Sequence, residues 1–180
     1  MTGAPLNGKT IALVGLMGAG KSTVGRRLAQ TLGMPFRDAD TEIEAAAGRS
    51  IADIFNQLGE PAFRDGERRV IARLLTGPPQ VLATGGGAFI DDETRALINA
   101  KAISVWLKAD VEVLARRVAR RGVRPLLVGK DPLEVLQAHA LARYDRYAEA
   151  HLTVETGETA HQVAVEAIIA ALSGRLAVHP

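Results

Sequence analysis

Cysteine is absent from all 180 residues. That excludes disulfides, thiol catalysis and cysteine-ligated metal sites, and it fits a reducing compartment, so a cytoplasmic location is expected. Aromatic residues make up only 4% of the chain, which leaves few platforms for stacking nucleic-acid bases. Net charge is only +2, and acidic and basic residues are interspersed rather than gathered in one block. Such interspersion is the pattern of solvated helix surface. No uncharged apolar run approaches the length of a membrane span. Neither nucleic acid nor membrane is therefore an expected partner. Residues 1–8 lack the charged-then-apolar layout of a signal peptide and read as a short loose tail. Lysine is scarce as well: Lys9, Lys21, Lys101, Lys108 and Lys130 are the whole set, so seventeen of the 22 basic residues are arginine. Arginine presents a planar fork suited to phosphate and carboxylate.

Hydrophobic residues are 47% of the chain, enough for one domain with a real core over residues 9–175. A chain of this size can work alone, so a monomer is expected. There is no internal repeat and no dividing linker. Five strand-like runs, Thr10–Val14, Met34–Arg37, Val81–Thr84, Ala102–Leu107 and His151–Glu155, alternate with amphipathic stretches. The latter span about 22–32, 50–57, 60–75, 92–99, 111–120, 132–150 and 160–173. Alternating β and α predicts an α/β fold, a mainly parallel sheet with right-handed crossovers and helices on both faces. The largely apolar run Ile103-Ser104-Val105-Trp106-Leu107 agrees with a strand covered on both sides. Ligands in such folds sit beyond the C-terminal ends of the strands.

The residues that follow the strands carry the chemistry. Gly15-Leu16-Met17-Gly18-Ala19-Gly20-Lys21-Ser22 follows the first and spells GxxxxGK[ST]. Backbone N–H groups of such a loop cradle phosphates, Lys21 adds charge for the outer ones, and the Ser22 hydroxyl can ligate magnesium. The helix from Ser22 points its positive dipole end at the same place. Asp38-Ala39-Asp40 follows the second strand. Two carboxylates at i, i+2 of extended chain share a face. One would support the metal, and the other would hold a substrate hydroxyl and steer or accept its proton. Asp40 equally suits the N-cap of the helix that starts at Thr41, and both roles stay open. Gly85-Gly86-Gly87 follows the third strand, where a backbone that approaches a ligand closely would justify the loss of side chains.

Arg64 and Glu67 are i, i+3 neighbours; taken alone they read as an ordinary surface ion pair. Arg116, Arg117, Arg120 and Arg121 lie on one helix that runs into Gly122–Pro132, a glycine- and proline-bounded segment suited to a lid, about 120–131, that delivers Arg124 to a phosphoryl group. Arg143 is placed either to reach an anionic substrate or to snorkel from its helix.

Together these segments, from about Lys9 to Leu172, resemble the shikimate kinase family of small P-loop kinases. The combination Asp38-x-Asp40, Phe63-Arg64-x-x-Glu67, Gly85-Gly86-Gly87, Arg124-Pro125-Leu126-Leu127 and Arg143-x-x-x-Tyr147 carries the resemblance. It implies a five-stranded parallel sheet of nucleoside-monophosphate-kinase type in three αβα layers. It implies ATP and magnesium as cofactors and transfer of the γ-phosphoryl group to the 3-hydroxyl of shikimate. By the same resemblance, Gly18, Ala19, Gly20, Lys21, Ser22 and Thr23 hold ATP, Ser22 ligates magnesium, and Asp38 supports the metal through water. Asp40, Arg64, Gly86 and Arg143 hold shikimate, within a substrate-binding helical region of about 38–70. Arg124 belongs to the lid and contacts ATP, and Arg117 lies against adenine. Lys21, Asp40 and Arg124 are the implied catalytic residues, with Glu67 orienting Arg64. The turn Thr156–His161 differs from relatives, and no contact is assigned there. The competing readings are gluconate kinase, adenylate kinase, a non-catalytic nucleotide-dependent module and a nucleic-acid-binding NTPase. The two arginines available for a carboxylate favour shikimate. No Asp-Gly-Phe-Pro-Arg string of the adenylate kinase type is present.

Overall fold

The structure, a computed structural model, describes residues 8–121, 127 and 129–178. Its centre is β1 (Thr10–Val14), every residue of which is buried. The strand pairs on both sides: Ile11 stands opposite Val81 of β3 (Val81–Ala83) and opposite Ile103 of β4 (Ala102–Lys108). β2 (Phe36–Asp38) lies outside β3, and β5 (Leu152–Glu155) lies outside β4. The order is β2-β3-β1-β4-β5 and all four pairings are parallel. This is the α/β architecture expected from the alternation of strands and helices. β2 begins later than the periodicity suggests, because Pro35 has no N–H for a ladder; its carbonyl accepts from Val81 N at 2.9 Å.

The helices cover both faces. α1 (Lys21–Leu32) follows β1, α2 (Ala39–Ala47) follows β2, and α3 (Ile51–Thr76) leads to β3. α3 is two helices on one path, broken at Gly59 (φ 83, ψ 171) two residues before Pro61. That break matches the two separate stretches expected on either side of Leu58 and Gly59. A short 3-10 turn, Ala88–Ile90, precedes α4 (Asp92–Lys101), and α5 (Val111–Arg120), α6 (Pro132–Tyr147) and α7 (His161–Val178) complete the layers. α7 passes the expected end at Ser173 and continues through Gly174, whose cost of about 1 kcal/mol is within reach of packing by Ile168 and Leu172, both buried. Trp106 of β4 receives Tyr144 edge-on and Tyr147 stacked, at centroid distances of 5.1 and 5.8 Å, which fixes α6 against the sheet. The C-terminal ends of β1, β2 and β3 open on one edge of the molecule.

Candidate active site

A loop leaves β1 and enters α1 through Gly20, whose φ of 88 puts it in the left-handed region. A side chain there would strain the backbone and would also meet the His161 ring, 3.1 Å from where a Cβ would stand. The loop thereby carries Lys21 into the fold, 9% exposed, with Nζ donating to Gly15 O at 2.7 Å and Leu16 O at 2.9 Å. Ala19 is buried beside it, and Thr23 is half-buried one residue beyond Ser22.

The Ser22 hydroxyl donates to Asp38 Oδ2 at 2.5 Å. The other oxygen of Asp38 accepts from Asp40 N at 3.0 Å and Thr41 N at 3.3 Å, so Asp38 is the N-cap of α2. The capping role considered for Asp40 therefore belongs to Asp38. Asp40 sits in the first helical turn, not on an extended strand face, and its side chain is exposed toward the crevice. Gly18, Gly20, Lys21, Ser22, Asp38, Asp40 and the Thr84–Gly86 segment line that crevice. Lys21 and Asp40 thus share one cavity. Ser22 and Asp38 bring two hard oxygen donors together at its floor, a pair that fits magnesium completed by phosphate oxygens and water. No cluster of three acidic, His or Cys side chains suited to a metal occurs among the described residues.

Arg64 stands in the second half of α3. Its Nη1 donates to Glu67 Oε1 at 2.7 Å, and its guanidinium lies 5.0 Å from the Phe63 ring centroid. Expected from its own segment to be a surface pair, it is not one: the Glu67 side chain is 2% exposed and that of Arg64 25%. Burial raises the Glu67 carboxyl above its usual range, with the Arg64 charge opposing. Its Oε2 is buried and has no hydrogen-bond partner among the described residues. A group whose folded pKa is raised lends stability that is complete below the unfolded value and lost as pH rises through the folded one. The Tm advantage of the wild type over Glu67→Gln should therefore shrink as pH climbs above 4.5, which a thermal-melt series from pH 4 to 8 measures. A constant difference across that range would contradict the raised carboxyl.

The guanidinium of Arg64 lies directly over Gly87, where a Cβ would fall 2.6 Å from Cζ. Gly87→Ala should therefore push Arg64 aside and raise the KM for the acid substrate by about tenfold while leaving that for nucleotide alone. An unchanged KM would show that Arg64 does not act from this position. On the other flank of the same turn, Arg143 Nη1 donates to Gly86 O at 3.4 Å, and the buried Tyr147 hydroxyl donates to the same carbonyl. Burial pushes the Tyr147 phenol up to about 12, so it stays a donor. Arg64 and Arg143 thus reach the Gly86–Gly87 turn from two different helices.

The far end of the loop meets α5 and the turn before α7. Arg117 donates through Nη1 to Gly18 O at 3.3 Å and through Nη2 to Gly157 O, and burial lowers its pKa. Arg116 pairs with Glu158. The 156–161 turn, to which the sequence assigned no contact, therefore abuts the phosphate loop through Arg117 and His161. Arg121, one of the four arginines leading toward the lid, also lines the crevice, where the sequence assigns it no role. Tyr147 was part of a motif, but its bond to Gly86 was not foreseen; its position one helical turn after Arg143 was the available signal. Arg124 lies outside the described residues, as do 122–126 and 128 of the expected lid.

A nucleotide-type loop at the C-terminal edge of a five-stranded parallel sheet, with an acid-lined crevice beside it, defines a small P-loop kinase. The family model of shikimate kinase matches residues 17–173, and the chain belongs to the shikimate kinase family. The shikimate kinase of Caulobacter vibrioides is 73% identical over 169 residues, covering 94% of this chain and 84% of the relative. That of Zymomonas mobilis is 56% identical over 164 residues, covering 91% and 93%. Among solved structures, shikimate kinase from Acinetobacter baumannii in complex with shikimate superposes with a TM-score of 0.89 at 39% identity, covering 93% of this chain and 94% of the other. A gluconokinase from Sinorhizobium meliloti, at 22% identity and a TM-score of 0.56, shares the fold alone.

Proposed function

We propose that this enzyme transfers the γ-phosphoryl group of ATP to the 3-hydroxyl of shikimate, giving shikimate 3-phosphate and ADP on the route to chorismate and the aromatic amino acids. The observation that carries the reading is the convergence of Arg64 and Arg143 on the Gly86–Gly87 turn, at the edge of the crevice that Lys21 and Asp40 share. Two guanidinium groups suit a carboxylate, because charge-assisted and bidentate contacts are the strong ones. Gly86 contributes backbone at close range, and Asp40 takes the sugar-like hydroxyls.

The phosphate loop from Gly18 to Thr23 wraps the nucleotide, and Arg117 closes the adenine side. Lys21 swings its ammonium from the loop carbonyls to the β- and γ-phosphates. Ser22 would ligate magnesium and Asp38 would hold it through water; when bound, the ion would neutralise charge on the phosphate oxygens. Asp40 holds the 3-hydroxyl in line and accepts its proton as the oxygen–phosphorus bond forms and the bond to ADP breaks. Arg124, on a lid of about 120–131, covers the transferring group and excludes water. Catalysis is then chiefly positioning and charge neutralisation.

We place the enzyme in the cytoplasm as a monomer, with no nucleic-acid or membrane partner. No helix among the described residues is long and apolar enough to cross a membrane. An ADP-release assay that offers shikimate, gluconate, AMP and single-stranded RNA in parallel tests the reading. Release should occur with shikimate alone; equal release with gluconate or AMP overturns it.

A further inference from the structure

Arg95 lies behind the glycine turn, on α4, and touches nothing in the crevice. Its side chain is only 9% exposed. A buried guanidinium is costly unless its donors are matched, and here the matches reach three separate elements. Nη2 donates to Asp92 Oδ1 at 2.6 Å in its own helix. Nη1 donates to Phe89 O at 3.3 Å and Ile90 O at 3.2 Å, the carbonyls of the 3-10 turn that continues directly from Gly85–Gly87. Nε donates to Glu149 Oε2 at 2.8 Å, just beyond the end of α6. Asn99 of α4 adds a bond to the Glu149 carbonyl at 3.1 Å. Arg146 closes the group, 3.5 Å from Glu149 and 3.7 Å from Asp92.

α6 is thus joined to the glycine turn twice. At the front, Arg143 and Tyr147 donate to Gly86 O; at the back, Glu149 is tied through Arg95 to Phe89 and Ile90. The contact of Arg143 with Gly86 is long, at 3.4 Å, and its other bond, to the Tyr147 hydroxyl, is to its own helix. Where its guanidinium points depends on where the helix is held. The same turn is the surface against which Arg64 lies.

We propose that Arg95 is a positioning residue for the acid substrate: by clamping the 88–90 turn to the end of α6, it holds Arg143 and the Gly86–Gly87 turn, against which Arg64 lies, at the separation a carboxylate requires. The inference rests on the carboxylate assignment made above. Its effect should fall mainly on one substrate, because the bonds of Arg95 end on Asp92, the 88–90 turn and Glu149 and include none to the phosphate loop or α5.

Steady-state kinetics on Arg95→Lys and Glu149→Gln test it, each substrate varied against a saturating partner, with melts alongside. Arg95→Lys keeps the charge and loses the fork. It should raise the KM for shikimate by about tenfold or more, with the KM for ATP and kcat nearly unchanged, since a displacement of about 1 Å is enough for such an effect. Glu149→Gln, exposed enough to fold normally, should shift the same KM in the same direction. In an Arg143→Ala background, Arg95→Lys should add little, because the two act through one path. A lowered Tm with both KM values intact would make Arg95 merely structural and overturn the proposal. So would equal rises in both KM values, or multiplicative effects in the double variant. If Arg95→Lys does not fold, Glu149→Gln decides. The wild type in the same assay separates the two readings: no turnover of shikimate by the wild type would sink the proposed function, whereas normal wild-type turnover with unmoved variants sinks only the role of Arg95.

Discussion

Lys21→Ala lowers turnover by about a thousandfold or more while the protein remains folded, a loss on the scale of removing a main transition-state donor. The ammonium lies at the mouth of the loop, bonded to Gly15 O and Leu16 O, so it can exchange these carbonyls for phosphate oxygens without moving the backbone. Its replacement leaves those two acceptors beside a crevice that water can enter, which limits the cost in stability. Lys21→Arg should not restore activity, because a planar fork cannot occupy the space of a compact ammonium cradled by two carbonyls. Single-turnover rates with saturating ATP, circular dichroism and a nucleotide titration check the expectation. Turnover within tenfold of the wild type would remove the phosphate loop from the mechanism.

That loop was legible because it is local. Its glycines, lysine and serine are consecutive, and their meaning depends only on a strand before and a helix after. The strands were legible for a related reason: β1 and β4 are buried on both faces and read as apolar runs. What sequence could not apportion was competition between neighbours for one role. Asp38 and Asp40 are both good caps, and only the bond from Ser22, sixteen residues earlier, together with the turn geometry, shows that Asp38 takes the helix end. Nor does i, i+3 spacing say whether a pair is wet. Arg64–Glu67 lies against residues 85–87, about twenty positions away, and the burial of Glu67 follows from that contact. Arg95 is the extreme case. Its partner Glu149 is 54 residues distant, and no local pattern marks either residue. The turn at 156–161 lacks the basic and amide residues its relatives often carry there, so no local pattern signals a contact; it meets the loop through His161 and through Arg117, which bonds both Gly157 O and Gly18 O.

The burial of Glu67 gives the second large effect a signature of its own. Arg64→Ala should raise the KM for shikimate by about a hundredfold, the scale expected when one charged contact to a carboxylate is lost, and leave ATP binding unchanged. It should also lower the melting temperature, because Glu67 is left buried without its cation. The cost is about 3 kcal/mol, at the low end for a broken buried pair since a quarter of the Arg64 side chain is exposed. Removing the opposing charge raises the Glu67 carboxyl further, so the stability deficit should grow as pH rises and fade in acid. Adding Glu67→Gln to Arg64→Ala should recover the melting temperature at neutral pH and leave the KM where it was. Arg143→Ala should match the KM effect without the pH-dependent loss, because Arg143 bonds the Gly86 carbonyl and the Tyr147 hydroxyl and, among the described residues, pairs with no buried carboxylate. Equal weakening of shikimate and ATP by Arg64→Ala would contradict the carboxylate assignment. Recovery of the KM by Glu67→Gln would show instead that Arg64 serves only to neutralise Glu67, leaving Arg143 as the sole anchor for the acid.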